Sequence, residues 1–266
     1  MFSLPTRKSL LIDQKEGTLF DTNTNLLNNS VDLFDFGTNI EKEEDFLHNF
    51  KNKKFDKNAT FSNFESFWTT IALKQDDYII VAADTRLCSE MGIYSRNTTK
   101  IFLINDFCIT IAGFYADGVE LYNRLKYEVL LYEAYNKINI HSLANLISKI
   151  LYSRRFFPYY SYVSLSGFTD GKPWVYGFDC IGNFEELNCV CNGSGSSLAQ
   201  PLLDSFIDKK NWYGDSPNVT EEYALNVVRT AFDSAAERDV KTGDNLEIYV
   251  INKEGMRRSL ENLRGD

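Results

Sequence analysis

The chain has 266 residues, 44% of them apolar, which is enough to fill the core of one large domain or two small ones. Its formal net charge of −9 argues against a nucleic-acid partner, and no block of Lys and Arg alternates with aromatic residues. The N-terminus lacks the apolar core of a signal peptide, and no run reaches the roughly 18 apolar residues of a membrane helix. We therefore expect a protein of the cytoplasm and nucleus that has no membrane partner.

The first 68 residues are predicted to form a leader segment, comparable to a propeptide and in part flexible. They contain nine asparagines, only two glycines and two charge-rich runs, and they show little periodicity. Ten of the 20 phenylalanines also lie there, so part of the leader is expected to dock on a surface. In particular, we expect its aromatic end to pack against a neighbouring surface. This end consists of Phe61, Phe64, Phe67 and Trp68.

From Thr69 onward the sequence alternates between dense strands and amphipathic helices with short connections. Two hairpins come first, with turns at Gln75-Asp76-Asp77 and at Asn105-Asp106. The predicted elements are, in order, strands 69–74, 78–83, 100–104 and 107–112; a helix over 117–135 and a second behind Ser142 as its N-cap; strands 160–166 and 174–178; a short helix over 198–207, kinked at Pro201; a helix opened by Thr220; and a last strand over 246–251.

This order of elements determines the predicted fold class. Strands and helices occur in groups, which fits two antiparallel sheets with helices on both outer faces and does not fit a doubly wound parallel sheet. We expect an α+β fold, a four-layer αββα sandwich, that forms one domain over residues 69–266.

The cysteines do not indicate a disulfide framework or a metal site. An odd count without framework spacing suits reduced thiols. Cys189 and Cys191 share a face if their segment is a strand, but only His48 and His141 exist to complete a metal site. We expect neither a metal nor another cofactor. The five cysteines are Cys88, Cys108, Cys180, Cys189 and Cys191.

Five features that could carry chemistry follow one another along the chain. They are Thr69-Thr70 at the start of the first strand, Asp84-Thr85-Arg86 after the second, Lys100 at the start of the third, Gly193-Ser194-Gly195-Ser196 before a helix, and Arg238-Asp239 with Thr242-Gly243 after the last helix. Each has an ordinary structural explanation as a turn, a loop or a cap. Their joint occurrence in this order and spacing is harder to explain by chance.

The set resembles the proteasome β family of N-terminal-nucleophile hydrolases, whose mature active chains begin at a catalytic threonine. The resemblance covers about Thr69 to Asp266 and implies the Ntn-hydrolase type of αββα sandwich. Within the family, three blocks resemble the non-catalytic members at the sixth β position, called beta type-1. The blocks are 151–160 (LYSRRFFPYY), 200–204 (QPLLD), and 235–239 with 242–244 (AAERD and TGD).

The resemblance also implies which residues form the site. In active members the threonine hydroxyl attacks the peptide carbonyl, and that position falls here on Thr69. A lysine near the nucleophile makes the hydroxyl easier to deprotonate, and an aspartate holds the lysine and balances its charge. These helpers fall on Lys100 and Asp84. The network is completed by Ser194, Asp239 and Thr242.

Two departures from the active members concern the bond before Thr69. Activity needs a free α-amine, because an amide nitrogen cannot accept a proton. Self-processing members carry glycine before the threonine, since the chain must fold tightly there, whereas Phe67 and Trp68 precede Thr69 here. Counting back from Asp84 by the spacing of active members places Trp68 at the nucleophile position. Both departures resemble the sixth β position, so we expect a non-catalytic chain whose leader an active neighbour trims between Asn49 and Asn63.

The segment after the second helix is predicted to be an interface. Two adjacent arginines are costly to bury unpaired, whereas Arg and aromatic residues dominate the energetics of protein contacts. The expected interface residues are Arg154, Arg155, Phe156, Phe157, Tyr159 and Tyr160. By resemblance, their partners are other α and β subunits in the four-ring barrel of the proteasome core particle. The chain would then serve ATP- and ubiquitin-dependent protein degradation as a structural subunit of a β ring.

Three alternatives remain open at this point. The first is an active threonine endopeptidase subunit that uses Thr69. The second is a free-standing amidohydrolase of the same fold, which should form a small oligomer and act on a small amide. The third is an interaction module with no connection to proteases, and the order of the five features fits it least.

Overall fold

A computed structural model of the chain describes residues 68–89, 92–209 and 219–263. These residues all lie within the structural unit Thr60–Asp266. The predicted leader up to Phe67, with its expected processing region, lies outside the described residues. None of the described helices is long and apolar enough to cross a membrane.

The first sheet contains five antiparallel strands in the order β10-β1-β2-β11-β12. They are β1 (Thr69–Lys74), β2 (Tyr78–Asp84), β10 (Cys189–Gly193), β11 (Asn245–Asn252) and β12 (Gly255–Asn262). The predicted hairpin of β1 and β2 is confirmed, with Thr70 opposite Ala83. The prediction that 246–251 is the last strand is wrong, because β12 pairs with β11 along its whole length. Most residues of β12 are exposed, including Arg257 and Arg258, so its sequence lacks the apolar alternation of a half-buried strand.

The second sheet also contains five antiparallel strands, and they follow their order in the chain. They are β5 (Ile101–Ile104), β6 (Phe107–Gly113), β7 (Ser161–Thr169), β8 (Lys172–Phe178) and β9 (Phe184–Glu186). A short hairpin of β3 (Leu87–Cys88) and β4 (Ile93–Ser95) precedes them. The predicted turn at Asn105-Asp106 is confirmed, and Asn105 has the positive φ of 53° that tight hairpin turns require.

The described residues contain four α-helices, of which two are capped by side chains. The helices are α1 (Tyr115–Glu133), α2 (Ile140–Ser153), α3 (Ser196–Leu203) and α4 (Glu221–Arg238). Thr220 caps α4 as predicted, accepting a hydrogen bond from the Tyr223 N–H. The prediction that Ser142 caps α2 is wrong: Asn139 is the cap, and it accepts a hydrogen bond from the Ser142 N–H. Pro201 lies inside α3, which a π-helical turn over Asp204–Asp208 continues.

Three hydrophobic clusters of the described residues lie between the four layers, which are two layers of helices and two sheets. One cluster joins α1 and α2 to the second sheet, and another joins α3 and α4 to the first. A third lies between the two sheets. Along β1, Ile71 and Leu73 belong to the cluster under α3 and α4, while Ala72 belongs to the one between the sheets, as the alternation of strand side chains requires. The predicted four-layer αββα sandwich of Ntn-hydrolase type is therefore confirmed.

Candidate functional site

Strand pairing brings several of the sequence-predicted site residues to one edge of the first sheet. Thr69 begins β1 and lies opposite Gly193, the last residue of β10. Asp84 ends β2 and lies opposite Leu246 near the start of β11. Antiparallel pairing thus places the starts of β1 and β11 beside the ends of β2 and β10. Lys100, which immediately precedes β5, reaches this edge from the second sheet.

The Thr69 hydroxyl belongs to a chain of hydrogen bonds that ends at a carboxylate. Its Oγ1 accepts a hydrogen bond from the Gly195 N–H at 3.0 Å and lies 2.8 Å from Thr242 Oγ1. Thr242 Oγ1 donates to Asp239 Oδ2 at 2.8 Å, and Ser194 Oγ donates to the same oxygen at 2.5 Å. Since the Thr242 proton is committed to Asp239, Thr69 must donate its own proton to Thr242. The proton of the candidate nucleophile is therefore directed toward Asp239.

Lys100 forms a separate group of hydrogen bonds with Asp84. Its Nζ donates to Asp84 Oδ1 and to the Arg86 carbonyl oxygen, each at 2.7 Å. Asp84 Oδ1 also accepts a hydrogen bond from the Thr69 backbone N–H at 2.9 Å. Within the described part of the chain, Lys100 makes no hydrogen bond to the Thr69 hydroxyl. The Lys100 amine and the Thr69 residue are therefore connected indirectly: both the amine and the Thr69 backbone N–H donate to Asp84.

Both side chains of this ion pair are fully buried, and burial has the largest single effect on the pKa of each. Burial raises the pKa of Asp84, while the Lys100 charge and the N–H donors of Thr69 and Gly243 oppose the rise. Burial lowers the pKa of Lys100, while the Asp84 charge opposes the fall. Each charge therefore depends on the other, because neither reaches water.

A second ion-pair group holds the loop that supplies the Arg86 carbonyl. Arg86 Nε donates to Asp244 Oδ2 at 2.9 Å, and Arg96 Nη1 donates to Asp244 Oδ1 at 2.6 Å. Burial raises the pKa of Asp244, but the hydrogen bonds and positive charges of both guanidinium groups together outweigh it and leave that pKa below its usual value. The sequence assigned these residues no role, although Arg86 and Asp244 both lie in blocks that it singled out.

Trp68 occupies the space beside Lys100. Its side chain is completely buried, its Nε1–H donates to the Ile111 carbonyl at 2.6 Å, and its ring meets Tyr115 edge-on at 5.9 Å. Lys100 Nζ lies 5.4 Å from the ring centroid, within the range of a cation–π interaction. The Trp68 carbonyl accepts a hydrogen bond from the Ser194 N–H at 3.0 Å. Trp68 thus packs inside its own domain, and the prediction that it packs against a neighbouring surface is wrong.

Two participants in the site were not found by sequence reasoning alone. The Gly195 N–H is a backbone donor, and nothing in a Gly-Ser-Gly-Ser stretch indicates which amide will face a hydroxyl. For Trp68, the sequence suggested an obstacle to cleavage, packing on a neighbouring surface and, by counting back from Asp84, the nucleophile position, but not its contact with Lys100. Its two large neighbours in the site come from two other layers of the sandwich, Ile111 from the second sheet and Tyr115 from α1.

A family model described as "Proteasome subunit" matches residues 66–251, which is most of the chain. The chain belongs to the proteasome subunit family. Several curated relatives carry β-type names, which confirms the resemblance drawn from the sequence motifs. "Probable proteasome subunit beta type-6" of Encephalitozoon cuniculi is 56% identical over 199 residues, covering 74% of this chain and 69% of the relative. "Proteasome subunit beta type-1" of Danio rerio is 37% identical, covering 74% and 86%. "Proteasome subunit beta type-6" of Saccharomyces cerevisiae is 35% identical, covering 74% and 88%.

The segment predicted as an interface of this proteasome β-type chain follows α2 and lies on the surface. Phe156 is 88% exposed, and Arg154, Arg155, Phe157 and Tyr160 are exposed as well. The Arg155 guanidinium lies 4.4 Å from the Phe156 ring centroid. This distance is within the range of a cation–π interaction, so the cation and the ring are presented together at the surface.

Tyr159 differs from the other five residues expected at the interface. It is only 4% exposed and belongs to the cluster beneath α1 and α2. Arg154 covers it, with the guanidinium carbon 4.9 Å from the Tyr159 ring centroid. Tyr159 is therefore a core residue that supports the exposed segment from below.

One group of side chains in the described residues has the composition of a metal site. The thiol of Cys189 and carboxylate oxygens of Asp204 and Asp208 lie within 4.8 Å of one another. Protein donors already serve both carboxylates, since Gln200 Nε2 donates to Asp204 at 2.7 Å and Asn188 Nδ2 donates to Asp208 at 2.8 Å. This arrangement explains the group without an ion. Cys191, which lies on β10 two residues after Cys189, belongs to the hydrophobic cluster beneath α3 and α4.

Proposed function

We propose that this chain is a non-catalytic, structural subunit of the β ring of the proteasome core particle. It assembles with other α and β subunits of the particle in the cytoplasm and nucleus, and it contributes to ATP- and ubiquitin-dependent protein degradation through that assembly. Its position is the one occupied by the relatives that carry the names beta type-1 and beta type-6.

The engagement of Lys100 is the observation that carries this proposal. A threonine hydroxyl is a weak nucleophile until a neighbouring base or a nearby positive charge makes its proton easier to remove. Lys100 gives its hydrogen bonds to Asp84 and to the Arg86 carbonyl, and the Trp68 ring lies against its amine. The Thr69 proton is directed to Thr242 instead. The two groups that would have to cooperate are held in separate hydrogen-bond systems.

The peptide bond between Trp68 and Thr69 supports the same proposal. The Thr69 nitrogen donates its hydrogen to Asp84 as a peptide N–H, and a peptide nitrogen cannot act as a base. For Thr69 to gain a free amine, the chain would have to be cut at a residue whose ring and carbonyl are both held in the interior. Glycine would lower that barrier, but Phe67 and Trp68 stand there.

An active N-terminal-threonine endopeptidase subunit is the second candidate. The convergence of Thr69, Asp84 and Lys100, with the three remaining residues that the resemblance implied, favours it. Ser194, Asp239 and Thr242 all lie in the hydrogen-bond chain that reaches the hydroxyl. A structural subunit that shares ancestry with active ones would keep such a network because it is buried and satisfied.

The intact mass of the mature chain, isolated with the particle that contains it, distinguishes the two candidates. We expect an N-terminus between Asn49 and Asn63, so that Trp68 is retained and Thr69 remains an internal residue. A mature chain that begins at Thr69 would overturn the proposal.

A covalent probe directed at N-terminal threonines gives an independent test. We expect the probe to label other β chains in the same preparation but not this one, and the labelled chains act as the internal control. Labelling of this chain that disappears in a Thr69→Ala variant would establish the endopeptidase instead. Co-purification of many related chains in near-equal amounts is expected for a ring subunit, whereas a free-standing amidohydrolase would elute as a small oligomer.

A further inference from the structure

The pocket that holds the Trp68 indole has the features of a ligand site. Three kinds of contact meet the ring: the Ile111 carbonyl accepts its N–H, the Tyr115 ring packs edge-on against it, and the Lys100 ammonium lies over its face. Small-molecule sites have the same composition, with apolar walls and a few polar groups that fix orientation. The indole is completely excluded from solvent there.

Backbone contacts anchor Trp68 separately from its ring. Its carbonyl accepts from the Ser194 N–H, and the next N–H, that of Thr69, donates to Asp84. Gly193 lies so close to the carbonyl that a Cβ there would meet its oxygen at 1.6 Å. These contacts use main-chain atoms of residues 68 and 69, so we expect them to persist when the Trp68 side chain is shortened. The walls of the pocket come from other layers and are held by their own packing.

The pocket also borders a charged group of the site, the Lys100 amine. Lys100 has three N–H donors, and Asp84 and the Arg86 carbonyl accept two hydrogen bonds from its amine. The centroid of the indole ring lies 5.4 Å from this amine, and the Lys100 side chain has no exposed surface. A ring that left this position would expose a buried amine next to an open apolar cavity.

We propose that Trp68 is an internal ligand of this pocket, and that the pocket binds a free, flat heteroaromatic molecule with one N–H donor when the Trp68 side chain is removed. The molecule of matching chemistry is indole. This goes beyond a structural role in the particle, because it assigns a binding pocket to the site and explains why the site stays closed.

The test uses the full-length chain within its particle, as wild type and as the variants Trp68→Ala and Trp68→Phe. Trp68→Ala opens the pocket, whereas Trp68→Phe keeps a smaller, six-membered ring in it and removes the N–H donor. Thermal melting of this chain is measured with and without indole. At a concentration about tenfold above its dissociation constant, indole should raise the melting temperature of Trp68→Ala by about 3 °C and leave the wild type and Trp68→Phe unchanged.

Lys100 supplies a second measurement. Reductive methylation by formaldehyde and a borohydride, located by mass spectrometry, should modify Lys100 in Trp68→Ala, be suppressed by indole, and leave Lys100 of the wild type unmodified. If Trp68→Ala does not accumulate, growth with indole should restore the chain to the particle. Failure of that rescue, the absence of an indole response in a folded Trp68→Ala, or an equal response in the wild type would each overturn the internal-ligand proposal.

These outcomes are separate from those that test the structural role. Indole binding is read from the pocket, whereas the structural role is read from the mass of the mature chain. A chain that begins upstream of Thr69 but shows no indole response overturns only the pocket. A chain that begins at Thr69 has lost Trp68, which overturns both proposals and is recognised by its mass.

Discussion

Lys100 Nζ lies 2.7 Å from Asp84 Oδ1, and both side chains are completely excluded from solvent. The carboxylate also accepts hydrogen bonds from the backbone N–H groups of Thr69 and Gly243. The pair therefore links the start of β1, the end of β2 and the residue before β5. In a buried pair, removing one partner leaves an uncompensated charge, which is more costly than losing both.

The first prediction is a double-mutant cycle on this pair. Lys100→Met and Asp84→Asn should each lower the free energy of unfolding by about 3–5 kcal/mol, because each leaves the other charge buried and unpaired. The double variant should lose clearly less than the sum of the two, as measured by chemical denaturation. The exposed pair of Lys253 and Asp77, also 2.7 Å apart, is the control. Lys253→Met should cost less than about 1 kcal/mol. Additive losses in the buried pair would contradict this account.

The second prediction concerns Gly193, which faces the Trp68 carbonyl. Gly193 has a φ of +101°, and a Cβ there would come within 1.6 Å of the Trp68 oxygen. Gly193→Ala should therefore combine backbone strain with a clash against the main chain and lower the free energy of unfolding by more than about 3 kcal/mol.

Gly171 provides a matched control for the strain alone. Its φ is +72°, but no atom lies within 4 Å of a Cβ built there. Gly171→Ala should cost about 1–2 kcal/mol, the penalty of a left-handed backbone with a side chain. Thermal or chemical denaturation gives both values. Equal losses at the two glycines would show that the close approach to Trp68 carries no energetic weight.

The third prediction is the acid sensitivity that Asp244 confers. Burial raises the pKa of Asp244, but the hydrogen bonds and charges of Arg86 and Arg96 together outweigh burial and keep this pKa below its usual value in the folded chain. A group whose pKa is lower in the folded state stabilises the fold above its unfolded pKa, which is about 4 for aspartate. This stabilisation is lost as the pH falls below about 4 and Asp244 becomes protonated. The free energy of unfolding of Asp244→Asn should therefore decrease less than that of the wild type over the same range.

Asparagine suits this comparison because Asp244 has a φ of +70°, a conformation that asparagine tolerates. Asp76 is the control, since it is exposed in the β1–β2 turn and makes no hydrogen bond in the described part of the chain. Asp76→Asn should follow the wild-type pH profile. Parallel profiles for wild type and Asp244→Asn would show that the ion pairs of Arg86 and Arg96 do not contribute to stability.

Local patterns were sufficient for the elements whose residues carry their own signal. The β1–β2 hairpin and the Asn105 turn follow from alternation and turn residues, and the Thr220 cap follows from the chemistry of helix ends. Strand β10 has no such signal, because Cys189–Gly193 is a strand only through its pairing with β1, more than 100 residues earlier in the chain. Strand β12 lacks a signal for a different reason: it pairs with its neighbour β11 in a local hairpin, but its exposed and charged sequence shows no apolar alternation.

The candidate site shows the same division between local and long-range information. The positions of Thr69, Asp84 and Lys100 followed from a family resemblance, and the hairpins place them at one edge. The direction of the Thr69 proton depends on Gly195 and Thr242, which the fold brings in from distant segments. A bulky residue before a threonine suggests an obstacle to cleavage. The position of the Trp68 ring beside Lys100 depends on contacts with Ile111 and Tyr115 from two other layers, which the local sequence does not indicate.

The last prediction tests the exposed segment after α2 as an interface. The Arg155 guanidinium lies against the Phe156 ring, and both side chains are exposed on the surface of their own domain. Exposed aromatic and arginine side chains of this kind dominate binding energy when a partner covers them. Arg155→Ala and Phe156→Ala should therefore change the free energy of unfolding of this domain by less than about 0.5 kcal/mol. Each should weaken incorporation into the particle by about tenfold or more, the equivalent of about 1.4 kcal/mol.

Tyr94→Ala is the matched control, because Tyr94 is 71% exposed on the short β3–β4 hairpin and lies outside the predicted interface. Incorporation is measured as the fraction of this chain that co-purifies with its partner chains, after expression at equal level. We expect a loss for the two interface variants and none for Tyr94→Ala. If all three assembled like the wild type, Arg155 and Phe156 would not be dominant contacts of an interface, because truncating a dominant contact weakens binding.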